Sequence, residues 1–437
     1  MMGKSFMPRF ESLDELKAFQ LEGLKWTVNH AYQNSAFYRK RFNDAKVKPD
    51  KIKSLADIKY LPFTTASDLQ EGYPFPLRSV PFDQIVRIHA SSGTTGKRKI
   101  LCYTAKDIDD WANMFARCFE MAELNKEDRV QIAVGYGLWT AGVGFQLGCE
   151  RFGAMAVPVG PGNTEIHLQM LIDLQSTVFC STASMALLMA EEIERRGIKD
   201  KISLKKVILG AERHSERMRR RIKESTGAEH VFDIPGLTEL YGPGTGLDCS
   251  LHQGIHYWAD FYILEILDPE TLEPVPDGEV GEMVVTTLKK EGSPLIRYRT
   301  RDLTRLIPEP CPCGNILPKH DRIMGRSDDM FIFRAVNIYP SQIDHVLSGF
   351  EEIGSEYQVH LYHTEDGRDR MIIKVERASG LSVARDGEIA QMISREIRKQ
   401  ILVRGEVEIV DYGTLPRTAR KSKRVFDHRT DLFSEEG

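Results

Sequence analysis

The sequence predicts an α/β fold with a large multi-sheet N-terminal domain and a small α+β C-terminal domain. Three observations predict it. Up to about residue 235, short apolar runs alternate with helix-patterned segments, the signature of βα units with parallel strands. From Ile255 to Val285 the pattern becomes β-rich. Beyond Arg326 a stretch of roughly a hundred residues, an ordinary domain size, mixes strands with a helix. A chain of 437 residues exceeds the usual single-domain length, so one large and one small domain is the natural division.

In chain order, residues 11–45 read as helical, with Leu13, Leu16, Phe19, Leu24, Trp26 and Tyr32 at helical spacing. Leu61-Pro62-Phe63-Thr64-Thr65 suits an extended connection, because proline removes a helical donor. Val86 to His89 is a short strand candidate, and Thr104 is a candidate N-cap for a helix reaching about Glu120. Residues 130–134, 154–159, 178–180 and 207–209 read as buried strands, with helices over 166–174 and 184–195 between them. Phe261 to Leu267 and Glu282 to Thr287 flank a Pro/Asp/Gly turn. Tyr357 to Tyr362 and Met371 to Val375 flank Glu365-Asp366-Gly367, before a helix over 386–400 and a strand over 406–410.

Charged residues at 28% and a formal charge of −4 give no electrostatic reason to expect nucleic acid or an anionic membrane as partner. No apolar run approaches the ~18 residues of a membrane span, and the first ten residues lack the apolar core of a secretory signal. Seven cysteines are too few and odd in number for a disulfide framework. The cytoplasm is the expected compartment.

Four stretches can carry chemistry. The first, His89 to Lys99, contains Ser91, Ser92, Gly93, Thr94, Thr95, Gly96 and Lys97. Glycine-freed backbone N–H groups, hydroxyls and lysines together make a cradle for a polyphosphate. It is not a P-loop, because Thr94 and Thr95 alone separate its glycines and Arg98 follows Lys97. The second runs from Asp233 through Pro235, Thr238 and Glu239 to Tyr241. The third runs from Ile296 through Asp302, between arginines, to Gly325-Arg326-Ser327-Asp328-Asp329-Met330. The fourth is the basic strip Arg417-Thr418-Ala419-Arg420-Lys421-Ser422-Lys423-Arg424. Singly, each also reads as an ordinary surface turn, helix-end charge, salt-bridged acid or solvated strip.

In this order and spacing the four resemble the adenylate-forming superfamily of acyl-CoA ligases, most closely its phenylacetate–CoA ligase branch. Tyr136-Gly137-Leu138-Trp139-Thr140, Gly210-Ala211-Glu212 and Val336-Asn337-Ile338-Tyr339-Pro340 also look like that branch. The resemblance implies ATP, Mg²⁺ and coenzyme A as reaction partners. An acid would attack the α-phosphate of ATP, and the thiol of coenzyme A would then take the acyl group.

By resemblance, residues 91–97 hold the β- and γ-phosphates. Glu239 takes Mg²⁺, a hard cation suited to carboxylate oxygen. Asp302 holds the ribose hydroxyls and Arg326 contacts the ribose or phosphates. Ala211, Glu212 and Asp233 to Thr238 form the adenine wall. Lys421 stabilises charge at the displaced phosphate. Asp328 is the hinge of the small domain, which divides the chain at 1–327 and 328–437 and lets one site serve two half-reactions. Pro235 stands where the family commonly has Tyr, and Arg420 where a glycine usually precedes the catalytic lysine. A homodimer is implied only by analogy.

Tyr136, Trp139, Thr140, Gly142 and Gly144 follow a strand end, where α/β folds place ligands. Aromatic and small residues there suit the planar ring of an aryl acid; a core role for the same residues is the alternative. Cys311-Pro312-Cys313-Gly314 with Cys249 and His256 supplies donors for a tetrahedral structural zinc. His252 competes as the fourth ligand, and buried free thiols are the other reading. Cys102, Cys118, Cys149 and Cys180 lie in apolar contexts and read as packing residues. The aryl-acid–CoA ligase leads two other functions: an adenylyltransferase acting on a deazaflavin cofactor, and a non-catalytic nucleotide- or acyl-adenylate-binding regulator.

Overall fold

A computed structural model of the chain describes residues 5–91, 97–334, 336–363, 369–416 and 424–429. Its centre is a five-stranded sheet in the order Met155–Val157, Arg129–Ile132, Val178–Thr182, Lys206–Gly210 and His230–Ile234. Every neighbouring pair is parallel, as the alternation of strands and helices requires. All five residues of Val178–Thr182 are buried, the mark of a parallel strand covered on both faces.

The helix Ala105–Met121 starts where the sequence places it. Thr104 Oγ1 accepts from Asp107 N (3.1 Å), and the Asp107 carboxylate accepts from Thr104 N (3.1 Å), a reciprocal capping box. Trp111, Met114, Phe115, Cys118 and Phe119 form its buried face, against which Ala141–Phe152 packs. A Cβ at Gly144 would lie 2.4 Å from the Phe115 ring, and one at Gly148 2.2 Å from its Cβ. Glycine is what allows these two helices to approach so closely. Neither Ala141–Phe152 nor the helix Glu216–Thr226 was expected from the sequence. The N-terminal helical stretch is two helices, Leu13–Asn34 and Ala36–Asp44. Ser35 divides them and caps the second through Tyr38 N. The four cysteines read as packing residues are all buried.

Two antiparallel sheets follow. One orders Tyr262–Leu267, Gly281–Thr287, Tyr298–Thr304 and Gly325–Arg326; the other orders Gly246–Asp248, Ile255–Tyr257, Lys319–His320 and Leu306–Ile307. Beyond Phe331 the chain builds a separate core containing Phe333, Ile343, Val359, Ile373 and Ile393. Ile353–His363 pairs antiparallel with Asp369–Arg377, and Glu406–Val410 and Val425–Asp427 add as parallel outer strands. This unit rests on the helices that follow the central strands. Arg217 donates to Phe350 O and Glu351 O, Arg213 lies 3.6 Å from Asp344, and Tyr412 bonds Glu191. Among the described residues no helix is long and apolar enough to cross a membrane.

Candidate active site

The carboxyl ends of three central strands open onto one region, the expected location for a ligand in a parallel sheet. Arg129–Ile132 leads to the 133–140 loop, Lys206–Gly210 to Ala211, and His230–Ile234 to the turn carrying Glu239. The strand Arg87–Ala90 delivers the phosphate-loop candidate beside them. Its neck is closed by Ser91 N on Lys99 O (3.1 Å) and Lys99 N on Ser91 Oγ (3.2 Å). Ser92, Gly93, Thr94, Thr95 and Gly96 lie outside the described residues. Lys97 is exposed, its ammonium 5.5 Å from the Tyr73 ring centre.

Glu239 is 6% exposed. Its carboxylate pairs with Lys99 and accepts from Tyr298 OH at 3.1 Å. Burial pushes this carboxyl up, but Lys99 and the hydrogen bonds outweigh it and hold it below the usual glutamate value. It is therefore an anion at neutral pH. Neither Lys99 nor Tyr298 was assigned a role from the sequence. Lys99 lay two residues beyond Lys97 in the stretch already singled out, whereas Tyr298 is brought in only by the tertiary fold.

Asp302 and Arg326 are direct partners across adjacent strands. Arg326 Nη1 donates to Asp302 Oδ1 (3.0 Å), while Nε and Nη2 reach the two oxygens of Asp328 (2.9 and 3.0 Å). One guanidinium thus joins the ribose-binding candidate to the hinge candidate. Arg297 (φ 43°), Arg301 (φ 68°) and Ala211 (φ 67°) adopt left-handed backbone, a conformation that costs non-glycine residues energy and concentrates at functional sites.

Glu212 turns one carboxylate oxygen onto Ser184 N (2.8 Å), at the start of the helix Ala183–Arg196. Its other oxygen is buried with no hydrogen-bond partner among the described residues. Asp233 lies 4.0 Å from His214 and 3.8 Å from Arg322, and its N–H is held by Asp248 (2.6 Å). Burial pushes the Asp233 carboxyl up. The Thr238 carbonyl accepts from Tyr103 OH at 3.3 Å. Tyr241 is completely buried.

Tyr136 and Trp139 pack on glycine faces. A Cβ at Gly142 would meet the Tyr136 ring at 2.6 Å, and one at Gly135 the Trp139 ring at 2.9 Å. Thr140 is buried, and its hydroxyl has no hydrogen-bond partner among the described residues. Backbone bonds set the loop's path: Ala90 N donates to Leu138 O (2.9 Å) and Gly142 N to Gly135 O (2.8 Å). The acid-pocket candidates thereby adjoin the strand that feeds the phosphate loop.

Lys421 lies outside the described residues. On one side of it Leu415 N donates to Glu376 (2.8 Å); on the other Arg424 pairs with Glu356 (2.6 Å). Burial pushes the Glu212 carboxyl up, and the charge of Arg424 acts against that push.

Cys249, His256, Cys311 and Cys313 bring their donor atoms within 4.8 Å of one another. Cys249 and Cys311 sulfurs are 3.7 Å apart, and Cys313 Sγ is 3.4 Å from His256 Nε2. His256 Nδ1 is engaged by Leu317 O (2.9 Å), which leaves Nε2 facing the thiols. His252 is elsewhere, with Nδ1 on Asp248 (2.7 Å) and Nε2 toward His230 (3.2 Å).

Residues 20–288 match the family model of AMP-binding enzymes, and residues 335–429 match that of the AMP-binding enzyme C-terminal domain. The phenylacetate-coenzyme A ligase of Escherichia coli (strain K12) is 41% identical over 424 residues, covering 96% of each chain. The chain belongs to the phenylacetate–CoA ligase family of AMP-binding enzymes. Another member, from Thermus thermophilus, is 37% identical over 444 residues, covering 97% of this chain and 99% of the relative. The fold also matches solved 2-hydroxyisobutyryl-CoA ligase. In that enzyme's postadenylation state with R3-HIB-AMP, identity is 26%, coverage 99% and 96%, and the TM-score 0.88. In its thioesterification state with 2-HIB-AMP and CoA, identity is 27%, coverage 98% and 95%, and the TM-score falls to 0.70.

Proposed function

We propose that the chain is an ATP-dependent aryl-acid–CoA ligase, taking phenylacetate or a related aromatic acid through an acyl-adenylate and releasing AMP and pyrophosphate. The observation that carries this reading is the Glu239 carboxylate paired with Lys99 at the neck of the phosphate-loop candidate in a chain 41% identical to a phenylacetate–CoA ligase over nearly its whole length. In the first half-reaction the substrate carboxylate oxygen attacks the α-phosphorus of ATP, and pyrophosphate leaves toward residues 91–97. In the second the sulfur of coenzyme A attacks the acyl carbon, losing its proton, and AMP leaves.

Asp302 accepts from the ribose hydroxyls and Arg326 orients it. Ala211, Glu212, Asp233 and Thr238 line the base. Lys421 bridges the substrate carboxylate and α-phosphate, where charge builds up. Glu239 has the donor chemistry for Mg²⁺, which when bound neutralises phosphate charge. The small domain, residues 328–437, turns about Asp328 between the half-reactions. This structure is more similar to the postadenylation state of 2-hydroxyisobutyryl-CoA ligase than to its thioesterification state, and that difference between two states of one enzyme is what such a turn would produce. The cytoplasm and a homodimer are part of the same reading.

Pyrophosphate release measured across a panel of aryl and aliphatic acids, with and without CoA, tests the function. Release that needs an aryl acid, with thioester appearing only when CoA is present, is the expected result. Release that needs a deazaflavin instead, or none with any acid, would refute it. Gly142→Ala tests the pocket. The added Cβ meets the Tyr136 ring at 2.6 and 2.7 Å and Gly135 O at 2.8 Å, so kcat/KM for the aryl acid should fall by about tenfold or more, since misplacement of this order is that costly.

We also infer that Cys249, His256, Cys311 and Cys313 hold a structural zinc. Four N/S donors within tetrahedral reach, with the imidazole's second nitrogen tied to a carbonyl, match such a site. The purified protein should carry one zinc per chain, and stripping it should lower Tm by several degrees. Metal content far below one per chain, or an unchanged Tm on chelation, would dismiss the site.

A further inference from the structure

A second lysine lies beneath the Glu239 turn. Lys290 has no exposed surface. Its ammonium donates to the carbonyl oxygens of Glu239 (3.2 Å) and Leu240 (2.9 Å). It also sits between the rings of Tyr103 and Tyr241, 4.8 and 4.5 Å from their centres. The Tyr103 hydroxyl reaches the neighbouring carbonyls of Thr238 (3.3 Å) and Tyr241 (3.1 Å). Two side chains therefore hold four consecutive carbonyls, those of Thr238, Glu239, Leu240 and Tyr241.

A buried ammonium is expensive unless its donors are satisfied, and an apolar residue of equal volume is commonly the more stable choice. Burial pulls this ammonium down to about 8, against the pull of Asp107 and Glu239. Its mounting is equally fixed. The N–H groups of Glu291 and Gly292 both donate to the Asp107 carboxylate at 2.8 Å, Lys289 N donates to Thr27 Oγ1 (3.0 Å), and Thr104 Oγ1 donates to Glu291 (2.8 Å). The capping box that starts the helix Ala105–Met121 thus also anchors the lysine's own segment.

We propose that Lys290 is a positioning residue for Glu239: with the Tyr103 hydroxyl it fixes the backbone of the 238–241 turn, so that the Glu239 carboxylate meets the divalent cation in one orientation. The inference rests on the reading of Glu239 as the Mg²⁺ ligand. Groups that support a metal ligand from behind commonly change affinity by roughly ten- to hundredfold when removed.

The full chain carrying Lys290→Met, Tyr103→Phe or Glu239→Gln is compared with the unmodified chain. Acid-dependent pyrophosphate release is followed over a Mg²⁺ series, and thioester formation is followed from supplied acyl-adenylate. Lys290→Met should raise the Mg²⁺ needed for half-maximal release by roughly ten- to hundredfold while leaving thioester formation within about twofold. Tyr103→Phe should move the Mg²⁺ curve the same way by less. A parallel fall of both half-reactions, the mark of a merely structural role, would overturn the proposal. So would an unmoved Mg²⁺ curve. If Lys290→Met does not fold, Tyr103→Phe decides by the same criterion. If Glu239→Gln moves the Mg²⁺ curve but the other two do not, only the positioning role fails. If Glu239→Gln leaves it unmoved, the cation reading fails and takes the proposal with it.

Discussion

Lys421→Ala is expected to abolish adenylate formation while sparing the conversion of supplied acyl-adenylate to thioester. The first half-reaction gathers negative charge between carboxylate and α-phosphate, and removing one preorganised donor from such a point typically costs about 10²–10³ in rate. The second half-reaction displaces AMP after that charge has gone. The small domain carries its own core and meets the large part through polar contacts such as Arg217 to Glu351, features that suit the proposed turning of one body on the other. The two half-reactions measured separately decide the matter. An equal loss in both would remove domain alternation from the mechanism.

Glu239→Gln carries the second large effect. The amide keeps the shape of the side chain and its bond with Tyr298, but removes the charge that pairs with Lys99. At a fixed millimolar Mg²⁺ concentration adenylation should fall by about 10²–10³-fold, as for loss of a group aimed at developing charge, with the Mg²⁺ needed for half-maximal release raised. Lys99 is partly exposed and can rehydrate, so the stability cost should stay near the 1–3 kcal/mol of an unmade buried polar contact. Because the folded-state value of Glu239 is depressed, its contribution to stability is complete above the ordinary glutamate pKa. That contribution fades as pH falls through the depressed value. A variant retaining wild-type adenylation at millimolar Mg²⁺ would remove Glu239 from the chemistry.

Local signals were legible where one residue type dictates one geometry. Thr104 and Asp107 announce their capping box, and the strand Glu406–Val410 falls within its expected bounds. The helix Ala141–Phe152 was hidden because glycines at 142, 144 and 148 weaken a helical pattern, whereas in the fold Gly144 and Gly148 allow contact with Phe115 and Gly142 with Tyr136. Glu216–Thr226 was hidden by its charges; Arg219 is buried only because Asp248, distant in sequence, receives it. The same carboxylate engages His252 and so separates it from the thiols that His256 joins. Asp302, Arg326 and Glu239 enter the candidate site through resemblance alone. Lys99, Tyr298 and Lys290 acquire their places from pairings made between distant segments, and no local pattern encodes those.

The loop bearing Tyr136 and Trp139 owes its path to main-chain bonds, Ala90 to Leu138 and Gly142 to Gly135. Such bonds are indifferent to which side chains the loop displays. Substitutions at 136 and 139, the proposed lining of the acid pocket, therefore leave in place the main-chain bonds that tie this loop to the strand Arg87–Ala90.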